Sequence, residues 1–195
     1  MPRAGLSRDA VVRIALGLVD AGGLTGFADL TLAKVAAEAG VATPSLYKHV
    51  ASLAALRRDV AVLAAGDLTS LLVDRTLGRS GPEAVRALAE AMREYAHARP
   101  GRYAAVQVAP DPDDPADAEL SAAGARTVEV MIAVLRGFDL PDDRAVDAVR
   151  ALRAGVHGFV TLELGGGYRL PRDLDRSFDV LVDMLVAGVQ ELARA

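Results

Sequence analysis

Along this chain apolar residues recur at three- and four-residue intervals, and no segment alternates over any length as a half-buried strand would. That property argues against sheets and leaves packed helices, with glycine and proline as the punctuation. Ser7 is placed to cap a first helix in which Val11, Ile14, Ala15, Leu18 and Val19 share a face, and Gly22-Gly23 end it. Thr31 caps a second, "LAKVAAEA", with Leu30 and Val35 spaced as a hydrophobic staple, and Gly40 stops it. Pro44 opens a third helix of about two turns, for which Thr43 is the nearby cap. Ser52 then caps a long fourth helix. "EAVRALAEAMREYAHA", "RYAAVQVA", "AELSAAGARTVEVMIAVLRGF", "DDRAVDAVRALRAGVHGFVTLE" and "LDRSFDVLVDMLVAGVQELARA" follow, with "PDPDDPAD" and "LGGGYRLPRD" as loops. The expected fold is all-α, about nine helices without repeats.

Composition narrows the function classes. With 52% hydrophobic residues and a mean hydropathy of +0.25, the chain can bury a core and is not of the disordered type. Aromatics are 4% and tryptophan is absent, so that core must be Ala, Val and Leu. The absence of cysteine excludes disulfides, thiolate zinc sites and cysteine nucleophiles. No run of about 18 uncharged apolar residues exists, so no membrane span is expected. "MPRAGLSRDAV" lacks an apolar signal core, and a cytoplasmic location is expected. The net charge of −4 is uneven: residues 1–60 hold 7 Lys/Arg and 5 Asp/Glu, and residues 61–195 hold 15 and 21. A local surplus of cations is what contact with a polyanion requires, whatever the total.

The stretch "GVATPSLYKHV", residues 40–50, carries the clearest chemistry. Val41, Leu46 and Val50 are spaced to point inward, which leaves Ser45, Tyr47, Lys48 and His49 for the outside. Two short helices about a glycine turn, packed on a first helix, form a helix-turn-helix. "TLAKVAAEAGVATPSLYKHV" resembles the DNA-binding head of the tetracycline-repressor (TetR) family, with Ala36, Ala37, Gly40, Val41, Pro44, Leu46, Tyr47, His49 and Val50 matching its pattern. "AGVHGFVTLELGGGY" with the following "SFDVLVDMLV" resembles the C-terminal domain named for a Trp-His-Gly signature, Val156 standing where the Trp would be. Two positions depart from the head's pattern: Leu53 stands where a Lys is usual, and Ala42 where a capping Ser is common.

The resemblance implies a head over residues 1–51 and a ligand-binding, dimerising body over 52–195. It implies a homodimeric regulator, most simply a repressor, that leaves double-stranded operator DNA when a small effector binds, with no cofactor. Tyr47 and Lys48 can donate to phosphates, while Thr43, Pro44 and Ser45 sit at the helix end that enters the major groove. His49 can bind phosphate or base, Thr31 and Lys34 are backbone-contact candidates, and Arg3 could reach a minor groove.

In the body, Tyr95, His97, Tyr103 and Gln107 are the candidate polar anchors of a mainly aliphatic pocket. With no clustered cations nearby, an uncharged or weakly cationic apolar effector is expected. Val149, Leu152, Val156, His157, Val160, Leu181, Leu185 and Val189 are the candidate dimer contacts. Glu94-x-x-His97 spells half of a di-iron motif, but Ala154 three residues before His157 denies it a second copy, so no metal is expected. Neither a nucleophile elbow nor a phosphate loop is present, and catalysis is not expected. The rival reading is a helical small-molecule-binding protein or enzyme with a degenerate head, supported by Leu53 and the acidic total.

Overall fold

Side-chain caps close the starts of three helices in the computed structural model, which describes residues 6–194 apart from the side chain of Asp142. The candidate minor-groove residue Arg3 lies outside the described residues. Nine α-helices are found there, and no strand: α1 Arg8–Ala21, α2 Leu32–Ala39, α3 Thr43–Leu46, α4 Leu53–Thr76, α5 Gly81–Ala98, α6 Pro100–Val106, α7 Ala118–Leu135, α8 Asp142–Leu164 and α9 Leu174–Arg194. Ser7 Oγ accepts from the Ala10 N–H, Thr31 Oγ1 from Lys34 N–H and Ser52 Oγ from Ala55 N–H, each closing a helix start with a donor that would otherwise be unpaired. Gly40 ends α2 at φ 67°, ψ 32°, a left-handed conformation that costs a residue with a Cβ about 1 kcal/mol or more.

The chain divides into two compact units. The first comprises Met1–Gly66 with Arg99–Gly124, and the second Asp67–Ala98 with Ala125–Ala195, so the division falls inside α4 and α7. In the first unit one apolar cluster joins Val11, Ala15 and Val19 of α1 to Val35 of α2, Leu46 of α3, Leu56 and Val60 of α4 and Ala105 of α6. Such a cluster is what allows α3, too short to persist alone, to hold its shape.

Polar ties reinforce this arrangement. Arg8 donates to both carboxylate oxygens of Asp59, linking α1 to α4. Arg57 Nη2 donates to the carbonyls of Ala28 and Leu30, at 2.8 and 3.2 Å, fastening α4 to the link that leads into α2. Leu53, at the position where a lysine was expected, is partly buried against the same cluster. Arg58 reaches Asp114 and Asp117, and Asp117 in turn accepts from the Asp111 N–H, so the aspartate-rich loop folds back on itself.

In the second unit α5, α8 and α9 pack on one another, burying Val85, Leu88 and Met92 of α5, Val149, Leu152, Val156 and Val160 of α8, and Phe178, Val182 and Val189 of α9. Among the described residues, no helix is long and apolar enough to cross a membrane.

Candidate functional site

The candidate nucleic-acid surface is built on the turn between α2 and α3. After left-handed Gly40 the chain enters α3 at Ala42, which is the N-cap and makes no side-chain cap bond; Thr43 is already the first helical residue. The cap expected of Thr43 therefore does not form, and its hydroxyl is not spent on the helix start. Pro44 at the second position has no N–H to satisfy, which makes an uncapped start inexpensive. The helix proper is shorter than the two turns expected. Its winding nonetheless continues as turns, with His49 N–H and Val50 N–H both donating to the Leu46 carbonyl at 2.8 and 3.0 Å.

This local geometry sorts the side chains. Leu46 and Val50 are buried in the first unit's core and Val41 packs partly against it. Tyr47 is 58% exposed, Pro44 and Lys48 are exposed, and Thr43, Ser45 and His49 are half-buried. On α2, Thr31 and Lys34 are exposed, but both have structural work: Thr31 caps the helix, and Lys34 Nζ donates to the Asp29 carbonyl at 2.9 Å. An ammonium has three donors and a capping hydroxyl keeps its own O–H, so neither task removes the residue from phosphate contact. Arg8 and Arg58, by contrast, are committed to carboxylates within the unit.

The four pocket candidates fall in different units. Tyr95 and His97 lie on α5 in the second; Tyr103 on α6 and Gln107 just beyond it belong to the first. Both tyrosines are buried, and Gln107 Nε2 donates to the Tyr103 carbonyl at 3.3 Å. His97 takes part in a polar cluster that sequence reasoning missed. Its Nε2 lies 2.9 Å from Glu163 Oε2, and Arg93 binds the same carboxylate through Nε at 2.9 Å and Nη2 at 2.5 Å. Arg93 also reaches Asp175 at 2.8 Å and lies 4.8 Å from the centre of the Phe178 ring. The Glu163 side chain is 7% exposed, and hydrogen bonding to Arg93 holds its carboxyl below the ordinary glutamate value against the opposing effect of burial.

A depressed carboxylate stabilises the fold where it is ionised. The contribution is whole above about pH 4.3, the unfolded value, and fades as pH drops through the folded-state value. Arg93→Ala should accordingly lose stability near the lower end of the roughly 3–5 kcal/mol for breaking a buried pair. Glu163→Gln should flatten the fall of stability below pH 5 in denaturant titrations. An unaltered acid slope in that variant would assign the pH sensitivity to other groups.

A second missed pair is Thr69 and Thr127, whose hydroxyl oxygens stand 2.8 Å apart with Thr127 buried. Lone threonines on apolar helices carry no sequence signal for such pairing. Arg93 and His97 do sit four apart on α5, which marks a shared face, but nothing local points to Glu163.

The dimer candidates also divide. Val149, Leu152, Val156, Val160 and Val189 are buried inside the protomer, whereas His157, Leu181 and Leu185 are half-buried. Beside the last two, Val180 and Met184 on α9 are 52% and 68% exposed. Burial, then nearby Arg153, lowers the His157 pKa. Among the described residues no group of three or more His, Cys, Asp or Glu could hold a metal ion.

Residues 85–185 match the family model of the tetracyclin repressor-like C-terminal domain. An uncharacterized HTH-type transcriptional regulator of Mycobacterium tuberculosis is 37% identical over 187 residues, covering 96% of this chain and 83% of its own. Another from Bacillus subtilis is 27% identical over 190 residues, covering 96% and 95%. In fold, the chain is similar to a TetR variant of Acinetobacter baumannii AYE solved in complex with minocycline, with a TM-score of 0.68 at 24% identity over 97% of this chain and 99% of that one. With the helix-turn-helix at its start and this match through its body, the chain belongs to the TetR family of transcriptional regulators.

Proposed function

We propose that this regulator is a homodimeric repressor whose two α3 helices read a near-palindromic duplex and whose release is triggered by a small, mainly apolar ligand. The division into a head of residues 1–51 and a body of 52–195 belongs to the same reading. The observation that carries it is the exposed Pro44, Tyr47 and Lys48 on a turn whose other face, Leu46 and Val50, is sealed in the core. A helix presented in this way offers donors to phosphate and short side chains to base edges without disturbing the fold. One such helix reads few bases, so two acting together, with half-sites about 34–36 Å apart, give useful specificity.

Release follows from linkage. An effector that binds the DNA-free conformation better than the DNA-bound one lowers DNA affinity by that ratio, and by no more. Some of Tyr95, His97, Tyr103 and Gln107 are assigned to orient it; His157 is assigned to the subunit contact. The body's aliphatic composition favours an uncharged or weakly cationic compound, because an unpaired anion in an apolar site is costly.

The test is selection of bound duplexes from a random library, followed by gel shifts over a range of salt. Recovery of an inverted repeat, bound more weakly as salt rises, is expected. Failure to enrich any sequence would favour the rival class of a helical small-molecule-binding protein with a degenerate head. With the duplex in hand, a panel of small apolar compounds can be screened for release. Tyr103→Phe should blunt release with the dimer intact, and His157→Ala should weaken the dimer. Loss of release with an intact dimer in His157→Ala would move that residue to the pocket.

A further inference from the structure

Within the first unit a groove of about 450 Å³ runs between the start of α1, the first half of α4 and the first turn of α7. Its apolar floor is Val12, Val62 and Leu63, and Leu63 stays 42% exposed, a large hydrophobe that the packing of the unit leaves bare. The charges around this floor are out of balance. Arg8 donates to both oxygens of Asp59, so those two neutralise each other. Asp9 and Glu119 line the groove as well, and among the described residues neither side chain has a hydrogen bond or an ion pair. Their fields reach Arg8 all the same. Hydrogen bonding to Asp59, then the charges of Asp59, Glu119 and Asp9, raise the Arg8 pKa above the ordinary arginine value, while burial opposes them. Arg13, exposed and one turn beyond Asp9, is the other cation of the lining, which leaves two guanidiniums to answer three carboxylates.

We propose that this groove is a binding site for an amphipathic monocation, a protonated amine on a short aliphatic chain. The ammonium meets Asp9 and Glu119, and the chain covers Val12, Val62 and Leu63. An ammonium supplies the charge that the lining lacks, and its three donors can be shared among several carboxylate oxygens. An anion would add to the excess. An uncharged chain would gain the apolar contact but draw water from both carboxylates without pairing them. The volume lies within the range usual for small-molecule sites. None of the residues assigned above to the effector lines this groove, so the site is separate from that pocket and does not depend on the DNA-binding reading.

The probe is octylammonium, titrated calorimetrically into the full chain at low salt beside 1-octanol and octanoate. Saturable binding is expected, about fivefold or more tighter for octylammonium than for 1-octanol, with octanoate not bound. Butyl, hexyl and octyl amines should bind about threefold tighter for each added methylene as the floor is covered. Asp9→Asn with Glu119→Gln should lower the affinity for octylammonium to that for 1-octanol and leave the latter unchanged. Leu63→Arg, at an exposed position, puts a cation on the floor and should abolish octylammonium binding. Tyr103→Phe should leave it unaltered.

If octylammonium is not bound at millimolar concentration, or 1-octanol matches it in the unaltered protein, the groove is not a cation site. Binding undiminished by Leu63→Arg lies elsewhere, and binding lost in Tyr103→Phe belongs to the effector pocket; either result overturns the proposal. Should Leu63→Arg fail to fold, the paired carboxamide variant, which removes charge without adding bulk, decides the matter. Retention of the full preference for octylammonium over 1-octanol in that variant would overturn the role given to Asp9 and Glu119.

Discussion

Met184→Asp should leave the protomer folded and turn a dimer into a monomer in sedimentation at micromolar concentration, with DNA affinity lower by a hundredfold or more. Met184 is 68% exposed on α9, and Val180 one turn earlier is 52% exposed. In a lone protomer an aspartate there stays in water and costs little. In a helix-to-helix contact across a two-fold axis it meets its own copy in a drying interface, and two unpaired carboxylates there oppose association. Loss of the second head removes the gain from linked binding, which is commonly 10²–10⁴ in affinity. Leu185→Asp should have the same effect on assembly but be harder to interpret. Its methyl carbons stand 3.2 Å from where a Gly155 side chain would begin, so the change also disturbs the packing of α8 on α9. A Met184→Asp protein that remains dimeric and binds its duplex unchanged would remove α9 from the proposed interface.

The second large effect concerns the division of labour on α3. Tyr47→Phe and Lys48→Ala should weaken binding to every duplex alike, with the lysine change lowering the steepness of the salt dependence by about one. Both residues are exposed, so neither change should alter folding. Thr43→Ala and Ser45→Ala should instead alter which operator bases matter. A bidentate contact is worth about 1–3 kcal/mol of discrimination, and a single hydroxyl should fall at or below the lower figure. Repeating the duplex selection with each variant reads these outcomes directly. Uniform weakening by all four, with the selected sequence unchanged, would show that the helix positions but does not read. Leu46 bounds what is meant by a surface effect: fully buried, it should unfold the head when cut to alanine, at about 2–5 kcal/mol.

Helix boundaries were legible because they rest on local chemistry. Ser7, Thr31 and Ser52 cap because a short oxygen-bearing side chain meets N–H groups two or three residues on, and Gly40 turns because it lacks a Cβ. The inward Leu46 and Val50 and outward Tyr47 and Lys48 follow from helical spacing alone. Thr43 shows where local reasoning stops. It has the chemistry of a cap, but the chain enters α3 one residue earlier, at Ala42, and proline beside it lowers the cost of having none.

By itself, then, the sequence determined the all-helical fold, the helix-turn-helix, the family and the exposure of Tyr47 and Lys48 just beyond α3, though not the half-burial of Ser45 and His49. Only the tertiary structure decided which partner each apolar or charged side chain meets. Val149, Leu152, Val156 and Val160 form an apolar stripe on α8 that would suit a subunit contact or the protomer's own core equally well. Packing against α5 and α9 commits it to the core and leaves Val180 and Met184 outside. Arg93 with Glu163 and Arg102 with Asp20 are separated by 70 and 82 residues. Periodicity reports the face of one helix, whereas an ion pair depends on how two helices cross, and that is set by the packing of the whole unit.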